Sequence, residues 1–505
     1  MHPKAKRLTG KHLASKMFSS LEIRSFSQEI PLALTLQMSI HTKMRTLGTW
    51  WIVIVLCLLI APSSRAQTTN IPENQELLNG LKILFWPTPG SQEVVVKLRI
   101  HSGSAFDLAG KAGEMALIGD ILFPDEATVD FFTDQMGGKL NVAVNYDSLT
   151  ITMVGKAEQL DNILEVLRNG LLATQLSPEV VARIRESRIK ILRDTAISPA
   201  VVADRAVAVR LFGDFPYGRP SGGSPEDIAR VERADLMLVR ERFLNSNNST
   251  LAIIGGFNKS RTMRVLKQLL GPWRKSEQIV PSTFRVAKVP DPRALIVSVP
   301  SPSAEVRLAL RGVSRADRDF YAAAVLAKVA QDRWQSIAPE LITKPVFARS
   351  ESYQLPGIFF LGTTVSNQMV VDSVASAKKV FDSLITTPVT SAELDRAKRE
   401  AITELNSTTS KLENVPDSWL DMDTYRITAY QDPVASMQAV STSDLQRVAS
   451  RLFKEAAIAT VLVGDPLQLK PALEGRLKFD VLGEMPAPTP SPKPPAKPGT
   501  PSSPR

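Results

Sequence analysis

Apolar and polar positions alternate most clearly between residues 93 and 154. Glu93 to His101 reads E-V-V-V-K-L-R-I-H and predicts a strand. Leu140 to Asn145 and Ser148 to Val154 alternate on either side of Tyr146-Asp147, with Leu149, Ile151 and Met153 on one face, which predicts a hairpin. Between these strands the period changes. In G-K-A-G-E-M-A-L-I-G-D-I-L-F, residues 110–123, the apolar positions Met115, Ile118, Ile121 and Leu122 recur at helical spacing, so a helix opening straight from a loop is expected. Leu77 to Trp86 reads as a further strand at the Asn79-Gly80 turn, and Thr250 to Gly256 as another. Helices are expected over 129–136, 159–172, 178–194 and 260–270.

The same order then recurs. Glu305 to Arg311 parallels Val95 to His101, and the apolar helix Phe320 to Val329 parallels Gly110 to Gly119, both at a shift of 210. Val389 to Leu394, opening a basic helix, parallels Leu176 to Val181 at a shift of 213, and the strand Ala459 to Gly464 answers Thr250 to Gly256. Four parallels in one order predict an α+β chain of two homologous domains. Each is expected to be a mostly antiparallel sheet with helices packed on one face. The boundaries expected are 67–274 for the first domain, 275–292 for a linker ending in Val289-Pro290-Asp291-Pro292, and 293–480 for the second.

Composition adds compartment and excludes some classes. With 505 residues and 44% hydrophobic content the chain supports two real cores. Its charge of +10 comes from basic residues interspersed with acids, a solvated surface that predicts no nucleic-acid partner. The apolar run Trp50 to Ala61, with Lys43 and Arg45 before it and Ser64-Arg65-Ala66 after it, reads as a secretory signal peptide over 44–66. It is shorter than the ~20 residues that span a bilayer, so no membrane span is expected once it is cleaved, and a periplasmic or secreted location is. Residues 1–43 then read as an upstream extension. The single cysteine, Cys57, lies inside that run, so no disulfide is expected to hold the fold. The stretch 481–505, with nine prolines after Met485, reads as a disordered tail.

Several short motifs, in order, give the chain a relative. L-x-N-G-L at 77–81, Ser102-Gly103-Ser104 after a strand, G-G-x-L-N at 137–141 with Asp147 and Thr150, P-Y-G-x-P at 216–220 with Gly223, and Gly255-Gly256-Phe257 together resemble the insulinase/pitrilysin (inverzincin) zinc metallopeptidases. The likeness covers about Glu76 to Leu473. Active members carry H-x-x-E-H on the helix matched by 110–123. Two histidines on one helical face hold Zn²⁺, the glutamate between them is the general base, and a later helix adds a third ligand.

Aligned on Leu122-Phe123, this chain has Ala116 and Asp120 where the histidines belong and Gly119 where the base belongs. Asp194 stands at the third-ligand position, with Glu186 nearby, and both Asp120 and Asp194 also read as helix residues salt-bridged to Arg188 or Arg193. Carboxylates without imidazole do not make a tetrahedral zinc site, and His101 is the only histidine after the signal peptide. Zinc is expected of the family, but its ligands are absent, so no cofactor is expected here. The Arg and Tyr with which the family's second half grips substrate fall on Pro339 or Glu340 and on Phe347 or Val346, with Arg349 and Tyr353 as possible substitutes. Gly137, Gly138 and Asn141 do match the family strand on which a peptide adds by main-chain hydrogen bonds, although Asn141 equally suits a turn-to-strand cap.

The resemblance implies an exported, non-catalytic subunit that binds peptides or unfolded polypeptide and pairs with an active insulinase-type zinc peptidase. Two alternatives remain: a scaffold subunit like the core subunits of respiratory cytochrome complexes, and a peptidase with an altered metal site around Glu114, Asp120 and Asp194.

Overall fold

The computed structural model describes residues 71–195, 198–277, 284, 288–339 and 345–482. The expected signal peptide, the stretch before it and nearly all of the proline-rich segment lie outside the described residues.

The first sheet is built from β1 (Glu73–Glu76), β2 (Lys82–Pro87), β3 (Glu93–Ile100), β4 (Lys139–Val144), β5 (Leu149–Lys156) and β6 (Ser249–Gly255). Its order is β1-β2-β6-β3-β5-β4, and only β2 and β6 run parallel. The strand expected from Leu77 starts at Lys82 instead. Residues 77–81 are spent on the turn, where the Asn79 amide donates to the carbonyls of Leu270 (2.8 Å) and Trp273 (3.0 Å).

The second sheet repeats this plan with β7 (Ala294–Ser298), β8 (Ser303–Arg311), β9 (Phe347–Glu351), β10 (Ile358–Ser366), β11 (Ala459–Gly464) and β12 (Phe479–Leu482), in the order β12-β7-β11-β8-β10-β9. The parallel pair β7/β11 answers β2/β6, while β12 adds a second parallel edge from the far end of the chain and runs two residues into the stretch read as tail.

Each half packs its own helices on one face. In the first half these include α1 (Glu114–Leu122), α2 (Glu126–Met136) and α3 (Pro178–Thr195), whose apolar positions meet Val94, Val96, Leu98 and Ile100 of β3. Strand alternation turns Val95, Lys97 and Arg99 to the opposite face. The sequence reading left that face unassigned, and a helix lent by the other half covers it. α4 (Pro199–Phe212) crosses to the second sheet, burying Val202, Val207 and Phe212 against Leu295, Phe360 and Val461. α5 (Asp417–Thr424) makes the reciprocal crossing, with Trp419 and Leu420 packed on Leu84, Val95 and Ile254.

Charge sets the register of both crossings. Lys97 and Arg99 each reach Asp417 at 2.6 Å, and Arg99 reaches Asp421 at 2.7 Å. Arg307 of β8, only 2% exposed, pairs with Asp204 of α4 at 2.8 Å and with Glu305 at 2.9 Å. Buried cations of this kind are tolerated only when paired. Removing one partner is costly, so Arg307→Ala is expected to destabilise the chain by about 3–5 kcal/mol in equilibrium denaturation.

Candidate functional site

α1 begins at Glu114, later than the sequence pattern predicts. Gly110 and Gly113 sit at φ +78° and +98°, outside the helical region, and Gly113 is the N-cap. The first turn is anchored from outside by Asp107, whose carboxylate accepts from the N–H groups of Gly113 (2.6 Å) and Met115 (3.0 Å). Burial pushes the Asp107 carboxyl up to about 7, against the pull of those two donors and of Arg219. Glu114 is fully buried, accepts from the Leu108 N–H at 2.9 Å and is also pushed up by burial.

The positions that would carry zinc chemistry are closed. Ala116 is 3% exposed in the core. A Cβ at Gly119 would stand 3.2 Å from Val142 Cγ1 and 3.4 Å from Val144 Cγ2, so a glutamate there meets the β4 side chains immediately. Asp120 accepts from Arg188 Nη1 at 2.7 Å, while Arg188 Nε donates to the Gly222 carbonyl at 3.0 Å. Burial raises the Asp120 carboxyl more than Arg188 lowers it.

Asp194 stands six residues beyond Arg188 on α3, ~9 Å of helical rise. It is exposed in an open hollow beside Glu186 and Lys190. The structure therefore does not bring Glu114, Asp120 and Asp194 to one point, and no group of three His, Cys, Asp or Glu among the described residues could hold a metal. A fixed guanidinium beside Asp120 and a filled Gly119 do not fit zinc.

Beside this closed helix lies an open edge. β4 pairs with β5 on one side only and ends the first sheet. Leu140, Val142 and Val144 face the core, and Lys139, Asn141 and Ala143 are exposed. Gly137, at φ +62°, ends α2, and Gly138 is pressed against the Val154 carbonyl, so the two glycines place Asn141 three residues into the edge strand.

The positions expected in the second half for gripping substrate are otherwise engaged. Pro339 is exposed, and Glu340 lies outside the described residues. Val346 is buried in the second core, and Phe347 is flanked by the guanidinium groups of Arg307 and Arg349 at 4.9 and 4.8 Å. Arg349 is bound to Asp204 at 3.0 Å. Tyr353 donates to Glu351 at 2.8 Å and packs on Tyr146 and Tyr217 with ring centroids 5.1 and 4.8 Å apart.

The aromatic group carries a junction that sequence reasoning missed, although Asp147 and Tyr217 lie in motifs it quoted. Asp147 of the β4–β5 turn accepts from the Tyr217 hydroxyl (3.0 Å) and from the Gln354 N–H (2.9 Å), tying the first half to the second. Burial pushes its carboxyl up to about 6.

His101, expected as the last residue of the strand 93–101, instead sits just beyond β3 as a bridge between the halves. Nδ1 lies 2.9 Å from the Thr424 hydroxyl and Nε2 2.9 Å from the Thr250 hydroxyl, which donates to Asp423. Burial pushes the imidazole down to about 4, with Arg99 and Lys82 adding to the fall and Asp423 opposing it. Below pH 6.5 the unfolded chain takes up a proton that the folded chain refuses until about pH 4, so stability is lost as pH falls through that window. His101→Gln should therefore lose less melting temperature than the unaltered chain between pH 7 and pH 5, and equal losses in the two proteins would contradict this account.

Comparison with known proteins places these features in context. Residues 230–401 match the family model described as peptidase M16 inactive domain. An uncharacterised zinc protease of Mycobacterium tuberculosis is 22% identical over 412 residues, covering 77% of this chain and 93% of the relative. A peptidase M16 inactive domain from Pseudomonas fluorescens superposes with TM-score 0.70 at 17% identity, over 78% of this chain and 98% of that one. A protease from Helicobacter pylori gives 0.71 at 18%, over 78% and 100%. A chain of Complex III2 from Candida albicans gives 0.67 at 16%, over 80% and 97%. At these identities the superpositions show a shared fold.

Proposed function

The chain belongs to the insulinase-type (peptidase M16) family as a member lacking the catalytic site, and from that premise we propose that it is a peptide-binding subunit acting beside an active zinc peptidase of the same family. The observation that carries this reading is the open edge of β4 next to a helix whose catalytic positions are filled by Ala116, Gly119 and the Asp120–Arg188 pair. An extended peptide adds to such an edge through main-chain hydrogen bonds, which need no metal and select little by sequence. Export through the expected signal peptide puts the protein in the periplasm or outside the cell.

The test is hydrogen exchange with an unstructured decapeptide, followed by mass spectrometry of the peptide. Amides of residues 139–144 should gain protection while the peptide stays intact. Asn141→Ala should raise the peptide Kd about fivefold, the worth of one side-chain hydrogen bond of ~1 kcal/mol. Unchanged exchange along β4 would end the peptide-binding reading.

A second reading, a scaffold subunit, draws on the likeness to a chain of Complex III2 and on the reciprocal crossing of α4 and α5. Purification from native extract separates the two, since an active insulinase-type peptidase should accompany a peptide-binding partner.

A further inference from the structure

Where the two halves meet, a cavity of about 220 Å³ opens between the β4–β5 turn, α4 and the end of β9. Its volume is below the ~300–1,000 Å³ of typical small-molecule sites and suits a single residue of a longer ligand. Tyr146, two residues beyond the end of β4, lines it, so the cavity lies next to the C-terminal end of that edge strand. Phe360 and Ala208 add apolar surface to its lining.

The charges in this cavity are unbalanced. Its two acids are spent: Asp204 is held by Arg307 and Arg349, and Glu351 accepts from Tyr353 and faces Arg349. Two guanidinium groups also line it. Among the described residues the Arg219 guanidinium donates to the carbonyls of Asp107 (2.8 Å) and Ala105 (3.3 Å), and its buried Nε has no partner there. Arg205 makes no hydrogen bond or ion pair among the described residues, and burial, with no charged neighbour contributing, lowers its pKa. The Ser221 hydroxyl lines the same cavity without a partner among the described residues. A half-buried cation is normally paired, because desolvation without a counter-charge is costly.

We propose that this cavity is a carboxylate pocket in which Arg205 and Ser221 hold an acidic group of a bound peptide, either its C-terminus or an Asp or Glu side chain near its end. The proposal rests on the peptide-binding reading for the ligand but not for the chemistry of the pocket. Arg205 supplies a two-donor fork, Ser221 a third donor, and the aromatic and apolar walls take the residue that bears the carboxylate.

The test uses the full chain and three labelled decapeptides of one sequence: a free C-terminal leucine, its amide, and an amide with aspartate in place of that leucine. Fluorescence anisotropy should give at least tenfold tighter binding for the free acid than for its amide, and Arg205→Gln should abolish the difference while leaving the weaker amide affinity and the melting temperature unchanged. Recovery of tight binding by the aspartyl amide assigns the pocket to any peptide carboxylate, and its failure to recover assigns it to the C-terminus alone. Equal affinity for acid and amide in the unaltered protein overturns the proposal and leaves peptide binding standing. If none of the decapeptides binds, N-acetyl-leucine and N-acetyl-leucinamide, compared by saturation-transfer NMR, decide the matter. Arg205-dependent binding of the acid alone keeps the pocket without the edge, and its absence overturns the pocket.

Discussion

Replacing Trp419 with alanine is expected to destabilise the folded chain by about 3–5 kcal/mol, the cost of removing a buried tryptophan from a packed core. Trp419 is 3% exposed, stacks on Trp86 with centroids 5.2 Å apart, and fills the first sheet's outer face beside Leu84 and Val95. It is carried by α5, a helix of the second half, so the loss falls on the contact between halves as well as on a core. Chemical denaturation should show a large fall in midpoint and a first-half transition separating from the second. Leu467→Ala, at a site 82% exposed, should change stability by less than ~0.5 kcal/mol in the same experiment. A loss under 1 kcal/mol for Trp419→Ala would mean that the crossing is not what holds the halves together.

The second large effect concerns positions 116, 119 and 120 of α1. Installing histidine at Ala116, glutamate at Gly119 and histidine at Asp120 restores the family's residue types but is expected to give neither a bound metal nor a stable protein. Gly119→Glu alone forces a side chain against Val142, Val144 and Leu149, and overpacking costs roughly 1–3 kcal/mol before the burial of a carboxylate is added. Removing Asp120 leaves Arg188, whose side chain is only 18% exposed, without its acid and beside the intended zinc. Metal analysis of the purified triple variant and its denaturation curve test this together. A folded triple variant with stoichiometric zinc would show that the helix can still accept the metal.

Much of the frame could be read from period and order. The strand at 93–101, the hairpin across Tyr146-Asp147 and the shift of 210 between halves all appear as elements of two similar sheets. They were legible because alternation and helical spacing are local properties. The start of α1 was not, because Gly113 ends the helical pattern through its backbone angle and not through its polarity. Nor was the path of α4. Its apolar residues Val202, Val207 and Phe212 carry no local sign that the core they enter is the other half's.

For the site, the residues at 116, 119 and 120 told what is missing, while the geometry told what stands there instead. Arg188 and Arg193 were both available to pair with Asp120 and Asp194, and packing alone selects Arg188 for Asp120 and leaves Asp194 exposed. The partnerships of Arg99 with Asp417 and of Asp147 with Gln354 join residues hundreds of positions apart. The sequence by itself carried the resemblance to the insulinase-type family, the two-sheet plan and the lack of histidine at positions 116 and 120, since these depend on residue type, period and order. Only the tertiary structure decided that each sheet is covered by the other half's helix, that β4 is left at the sheet's edge, and that Arg205 lines a cavity whose two acids are bound elsewhere, with no ion pair of its own among the described residues. Those outcomes depend on which surfaces meet across long sequence separations, and a one-dimensional pattern carries no record of that.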